Sequence, residues 1–174
     1  QQEQTLLARD PQRTGMDRAQ LDRFIQHYER TSRRLLATLP AMAERVAAAV
    51  AGRRNPGTVI IARTDARSVT NFDDMLARLH MYTAAGADWL FPEALPTRDE
   101  FARVGREFLE GPLLLANMTE FGRSPLISLP DLSAAGFGAA LYPVTLLRLA
   151  MKAMEAGLAV LAAEGTQESL VDLM

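Results

Sequence analysis

Four short apolar runs, each followed by a stretch with helical spacing, constrain this chain more than any other feature. They are Thr58-Val59-Ile60-Ile61-Ala62, Asp88-Trp89-Leu90-Phe91, Leu113-Leu114-Leu115-Ala116 and Phe137-Gly138-Ala139-Ala140-Leu141. Unbroken apolar runs of this length mark strands buried on both faces. Between and after them the spacing predicts helices over about 72–85, 97–109, 128–135 and 144–164. Strands that alternate with helices in this way make βα units and a parallel sheet, here of four strands.

The first part of the chain has a different rhythm. Residues 1–16 are polar and aperiodic, broken by Pro11 and Gly15. Asp17 followed by Gln20 resembles a capping box, and Leu21, Phe24, Ile25 and Tyr28 then recur at helical spacing. An amphipathic helix is expected from about 17 to 38, ended by Pro40, with a second over about 41–52. Gly52 to Gly57 is a turn. Residues 1–54 carry 10 basic and 6 acidic side chains, whereas residues 55–174 carry 9 and 15. A basic head could bind nucleic acid, but its charges alternate in sign and its aromatics are sparse, so a solvated helix face is the better reading.

Composition bounds the rest. With 174 residues, 48% of them apolar, the chain can bury one ordinary core. It contains no cysteine, which removes disulfides, thiolate metal sites and cysteine nucleophiles. No apolar run approaches the roughly 20 residues that span a bilayer. Gln1 to Thr5 have no signal-peptide character, so a cytoplasmic location is expected, with neither nucleic acid nor membrane as partner.

Each apolar run ends in polar residues: Arg63-Thr64-Asp65, Pro92-Glu93, Asn117-Met118-Thr119-Glu120 and Tyr142-Pro143. Parallel βα architectures place their ligand site at the carboxyl ends of the strands, so these groups converge on one rim. Arg63 offers a planar fork for a carboxylate or phosphate. Glu93 can hold a cation directly or through water, or move a proton. Asn117 and Thr119 can donate hydrogen bonds to an anion. Any one of these residues reads more readily as a strand cap, whereas four at one rim favour a ligand site. His27 and His80 lack a partner at metal spacing and read as surface or packing residues. The methionines read as core fillers, and Asp73-Asp74 as helix-start acids.

The strings Ile61-Ala62-Arg63-Thr64-Asp65-Ala66, Ala85 to Ala94 and Ala116-Asn117-Met118-Thr119-Glu120-Phe121-Gly122, with Ala140-Leu141-Tyr142-Pro143, Arg148 and Glu164-Gly165-Thr166-Gln167, carry a resemblance. They resemble the isocitrate lyase and phosphoenolpyruvate mutase superfamily, and within it the 2-methylisocitrate lyases, over residues 41–174. The resemblance implies an α/β fold that is a partial (β/α)8 barrel of TIM type. About four βα units would form its C-terminal half, behind a helical segment, residues 1–40, of different origin. It also implies magnesium-dependent cleavage of a carbon–carbon bond in 2-methylisocitrate, a small carboxylate substrate, to pyruvate and succinate. Arg63 would then grip a substrate carboxylate, with Glu93 near the metal and reaching it through water. Asn117 and Thr119 would hydrogen-bond substrate, and Arg148 would be a second anion-binding arginine.

In that family the other half of the barrel supplies paired aspartates for magnesium and a catalytic cysteine. This chain has no cysteine and no Asp-x-Asp before residue 58, so no catalytic residue is assigned and the principal magnesium ligands are missing. Residues 21–30 show a fainter likeness to a helical stretch of a P-loop kinase family, without a glycine-rich phosphate loop. Two functions follow: a carbon–carbon lyase of impaired activity, or a non-catalytic half-barrel (a fragment, fusion or engineered chain) with a structural role. Four parallel strands leave two open edges and an open inner face around Val59 and Ile61, so a homo-oligomer is expected.

Overall fold

A computed structural model describes residues 36–174 together with Ala19, Arg23, Gln26 and His27. Those four are helical and exposed, and the predicted apolar stripe of Leu21, Phe24, Ile25 and Tyr28, like the rest of the N-terminal segment, lies outside the described residues. The elements are α1 (Leu39–Ala51), β1 (Ile61–Thr64), α2 (Ala66–Val69), α3 (Phe72–Ala84), β2 (Trp89–Pro92), α4 (Arg98–Glu107) and β3 (Leu113–Asn117). Next come α5 (Leu129–Ala134), β4 (Ala139–Leu141), α6 (Thr145–Glu164) and a 3-10 helix (Glu168–Leu173).

The helix starts follow local chemistry. Pro40 lies in the first turn of α1 and opens that helix, where the missing N–H costs nothing. The helix expected over about 41–52 therefore begins two residues earlier, at Leu39. Asn71, Thr97 and Ser128 each accept a hydrogen bond from the backbone N–H three residues on, at Asp74, Glu100 and Asp131. Asp73 and Asp74 sit in the first turn of α3 as expected. His80 meets Glu107 at 2.9 Å and stacks on Phe108, a surface role joining α3 to α4.

The four strands pair in the order β1-β2-β3-β4, all parallel. Burial alternates along β1: Ala62 and Thr64 are buried, whereas Ile61 and Arg63 are exposed. This corrects two expectations. The strand begins at Ile61, not Thr58, and it is buried on one face only. The reason is position: β1 lies at the edge of the sheet, whereas the central strands β2 and β3 are buried on both faces, and α3, α4 and α5 cover one side. There Ala62, Leu90, Leu114 and Ala116 pack with Met75, Leu79, Tyr82, Phe101, Val104 and Leu132 into the core. Phe91 and Leu115 point the other way and stand apart from that cluster, while Ile61 and Leu141 on the same face remain 44% and 42% exposed.

Two ion pairs brace the frame. The Arg67 guanidinium donates twice, at 2.7 Å, to the Glu100 carboxylate and so ties α2 to α4; those bonds raise its pKa further. At the amino end of β2, Asp88 accepts from the Ile60 backbone N–H at 2.7 Å and from Arg53 at 2.6 Å. The Ile60 hydrogen bond, joined by Arg53, holds its carboxyl below the usual range.

The chain divides into two compact units, one ending at Leu141 and one comprising Tyr142–Met174. In the second, α6 ends at Gly165, whose φ of 68° is the left-handed cap that glycine takes most readily. Leu146, Leu147, Leu149 and Leu158 of α6 are exposed. No helix among the described residues is long and apolar enough to cross a membrane.

Candidate active site

Parallel pairing brings the ends of β1, β2 and β3 side by side, and with them three of the residues singled out above. Arg63 lies on β1 opposite Phe91, its guanidinium carbon 4.8 Å from that ring's centroid. Its Nη2 is 3.2 Å from Glu93 Oε2. The same oxygen accepts from Asn117 Nδ2 at 3.2 Å. Arg63, Glu93 and Asn117 therefore form one chain of contacts across three consecutive strands, with Glu93 in the middle. Asp65 closes the outer end, accepting from Arg63 Nε at 3.0 Å and Nη2 at 2.8 Å.

Exposure grades along this row. The Arg63 side chain is 47% exposed, Glu93 only 16%. Asn117 Oδ1 is buried and accepts no hydrogen bond among the described residues, a group that costs free energy until a donor arrives. The row thus offers an accessible cation, a half-buried carboxylate and an unused acceptor. A small carboxylate bearing a hydroxyl complements that set: its charge meets Arg63, and its O–H meets Glu93 or Asn117 Oδ1.

The backbone at the rim carries a feature that residue types do not announce. Ala94, directly after Glu93, has φ 63°, and Phe121, directly after Glu120, also has φ 63°. Left-handed backbone at a residue with a Cβ costs about 1–2 kcal/mol. It persists here because Pro92 and Leu95, on either side of the Glu93-Ala94 turn, are both buried and Glu93 N–H donates to Thr64 O at 3.0 Å. The turn fixes the direction in which Glu93 leaves the strand.

The other two candidates lie elsewhere. Thr119 is half-buried in the loop after β3, two residues past Asn117. Arg148 belongs to α6 and so to the second compact unit, where it is exposed. As for magnesium, no three His, Cys, Asp or Glu side chains cluster as a metal site among the described residues. Glu93 and Asp65 both pair with the Arg63 guanidinium, so neither carboxylate is grouped with other acids as metal ligands would be. The described side chains do not make up a magnesium site.

Comparison with known proteins agrees with the fold. The family model for phosphoenolpyruvate phosphomutase matches residues 22–162. A probable 2-methylisocitrate lyase 1 of Corynebacterium glutamicum is 47% identical over 133 residues, 76% of this chain and 43% of the relative. A 2-methylisocitrate lyase of Aeropyrum pernix is 42% identical over 131 residues, 75% of this chain and 41% of the relative. Among solved structures, a 2,3-dimethylmalate lyase of the PEP mutase/isocitrate lyase superfamily superposes with a TM-score of 0.71 at 33% identity. That match covers 78% of this chain and 48% of the other. The chain spans less than half the length of the curated relatives it matches.

Proposed function

The chain belongs to the phosphoenolpyruvate mutase and isocitrate lyase family, and from that premise we propose that its rim binds a small carboxylate substrate of a carbon–carbon lyase of the 2-methylisocitrate type. The single observation that carries this is the Arg63–Glu93–Asn117 row at the strand ends, with contacts of 3.2 Å on both sides of Glu93. Arg63 grips a carboxylate, exchanging Asp65 for substrate. Asn117 and Thr119 hydrogen-bond it, and Arg148 keeps the role of a second anion-binding arginine that its sequence context implies. Cleavage of a carbon–carbon bond beside a carboxylate leaves charge on an enolate oxygen, which fixed donors and cations stabilise. Arg63 and Asn117 Nδ2 are groups of that kind.

Turnover by these 174 residues alone is a different matter. The chain contains no cysteine, and the described residues form no metal cluster. The polypeptide therefore binds carboxylates but cleaves 2-methylisocitrate far more slowly than the roughly 1–1000 per second typical of enzymes. Among the described residues β1 and β4 each pair on one side only, and assembly into an oligomer would give such edges partners.

Calorimetric titration with oxalate, pyruvate and succinate tests the binding site. The expected result is saturable binding, weakened at least tenfold in Arg63→Ala. Equal binding by that variant, or none by the parent, would remove the proposal. Pyruvate release from 2-methylisocitrate with magnesium tests the second half, and a rate within the ordinary enzyme range would refute impairment.

A further inference from the structure

Hydrogen bonds and ion pairs make a closed ring at the carboxyl ends of β1, β2 and β3. Asn117 Nδ2 donates to Glu93 Oε2, and Arg63 Nη2 meets the same oxygen, each at 3.2 Å. Arg63 donates in turn to Asp65. The Asp65 carbonyl accepts from the Ser68 backbone N–H at 3.1 Å and from Ser68 Oγ at 3.0 Å. The Ser68 carbonyl accepts from Arg123 Nη1 at 3.3 Å, and the chain running back from Arg123 to Asn117 completes the circuit. Ser68 belongs to α2, which follows β1, whereas Arg123 lies in the loop that follows β3. Between those strands lies β2, with Glu93 just past its end. Arg123 therefore ties together the segments on either side of the proposed binding row.

The loop that carries Arg123 is pinned at both ends. Met118 and Ile127 are buried. The Ile127 N–H donates to Met118 Sδ at 3.4 Å, and the Met118 N–H donates to Leu141 O at 2.8 Å. Between these ends Thr119 and Gly122 lie in close contact, since a Cβ on Gly122 would stand 2.9 Å from Thr119 Cγ2 and 3.4 Å from Thr119 O. The left-handed backbone of Phe121, at φ 63°, makes the turn that brings them together. A shift of Arg123 is thus carried through its neighbour Gly122 to Thr119, two residues past Asn117. We propose that Arg123 is a positioning residue of the rim: its bond to the Ser68 carbonyl holds Thr119 where it hydrogen-bonds a bound carboxylate. A loop fixed before the ligand arrives has little ordering entropy left to lose on binding. Without the latch the ligand itself must order the turn, and affinity falls. The inference rests on the binding reading above and gives Arg123 no contact with the ligand.

Calorimetric titration of the full-length chain with oxalate and with succinate compares the parent with Arg123→Met, Arg123→Lys, Thr119→Val and the double variant Arg123→Met with Thr119→Val. Methionine keeps the apolar stem of arginine without its donors, and lysine keeps a charged donor. In Arg123→Met the Kd should rise about tenfold, the worth of one hydrogen bond from a charged group. Arg123→Lys should bring it back to within about threefold of the parent, a rescue that a purely structural arginine would not show in affinity. The double variant should bind no more weakly than Thr119→Val alone, because Arg123 acts through Thr119. If Arg123→Met differs from the parent in circular dichroism, Arg123→Ala tests the same latch. A parent that binds, with Arg63→Ala weakened and Arg123→Met unchanged, overturns the positioning role and leaves the binding reading standing. Losses that multiply in the double variant, or that Arg123→Lys does not restore, do the same. A parent that binds neither ligand overturns both.

Discussion

Gly105→Ala sets helix propensity against packing. Gly105 is buried in α4, and in a helix interior alanine is favoured over glycine by about 1 kcal/mol. On propensity alone the substitution stabilises. The tertiary structure says the opposite. A Cβ built on Gly105 would lie 1.6 Å from Ala135 O and 2.7 Å from Ala135 C. Both are backbone atoms, so no rotamer change can clear them. Reaching ordinary contact needs a separation of well over 3 Å, and hence a shift of more than 1 Å between α4 and the turn after α5. That turn is itself constrained, since Gly136 has φ 88° and Gly136 N donates to Ser133 O at 2.9 Å. Overpacking of a rigid core costs about 1–3 kcal/mol, and more where backbone must move. Taking about 3 kcal/mol against the propensity gain leaves a net loss of about 2 kcal/mol. For a chain of this size that lowers Tm by roughly 4–8 °C. Thermal and urea unfolding followed by circular dichroism read it directly. An unchanged or higher Tm for Gly105→Ala would refute the close approach of α4 to Ala135.

Two further outcomes follow from the ion pairs. Arg67→Ala leaves the Glu100 carboxylate, 13% exposed, without its bidentate partner, and should cost about 1–3 kcal/mol in urea unfolding; a loss below about 0.5 kcal/mol would show the pair to be solvent-screened. Asp88 has a folded pKa below its unfolded one, so the stability it contributes is present above the unfolded value and is lost as pH falls through the folded value. Between pH 6 and 2, Tm should fall less steeply in Asp88→Asn than in the parent, and parallel curves would count against the Ile60–Asp88 clamp.

Much of the fold is written in local pattern. The change from helical spacing to short apolar runs identifies four βα units, because a parallel sheet forces its strands to be apolar and its crossovers to be helical. Asn71, Thr97 and Ser128 mark helix starts because capping is a contact of three residues' range. The rim was legible too: polar residues at the ends of three runs become Arg63, Glu93 and Asn117, since parallel pairing aligns strand ends of the same polarity. Local pattern fails where a property depends on what lies across space. It reads Thr58–Ala62 as a strand buried on both faces, yet pairing begins at Ile61 and one face of β1 stays open, because burial is decided by neighbours and not by the run's own composition. It does not show that Glu93 shares one oxygen between Arg63 and Asn117, nor that Ala94 takes a left-handed turn to aim it. Gly105 likewise looks like an ordinary weak helix residue until Ala135 appears beside it. The residue order determines which groups can serve as strands, caps and rim chemistry, whereas only the packed structure decides which faces close, which atoms meet and where a single methyl group cannot go.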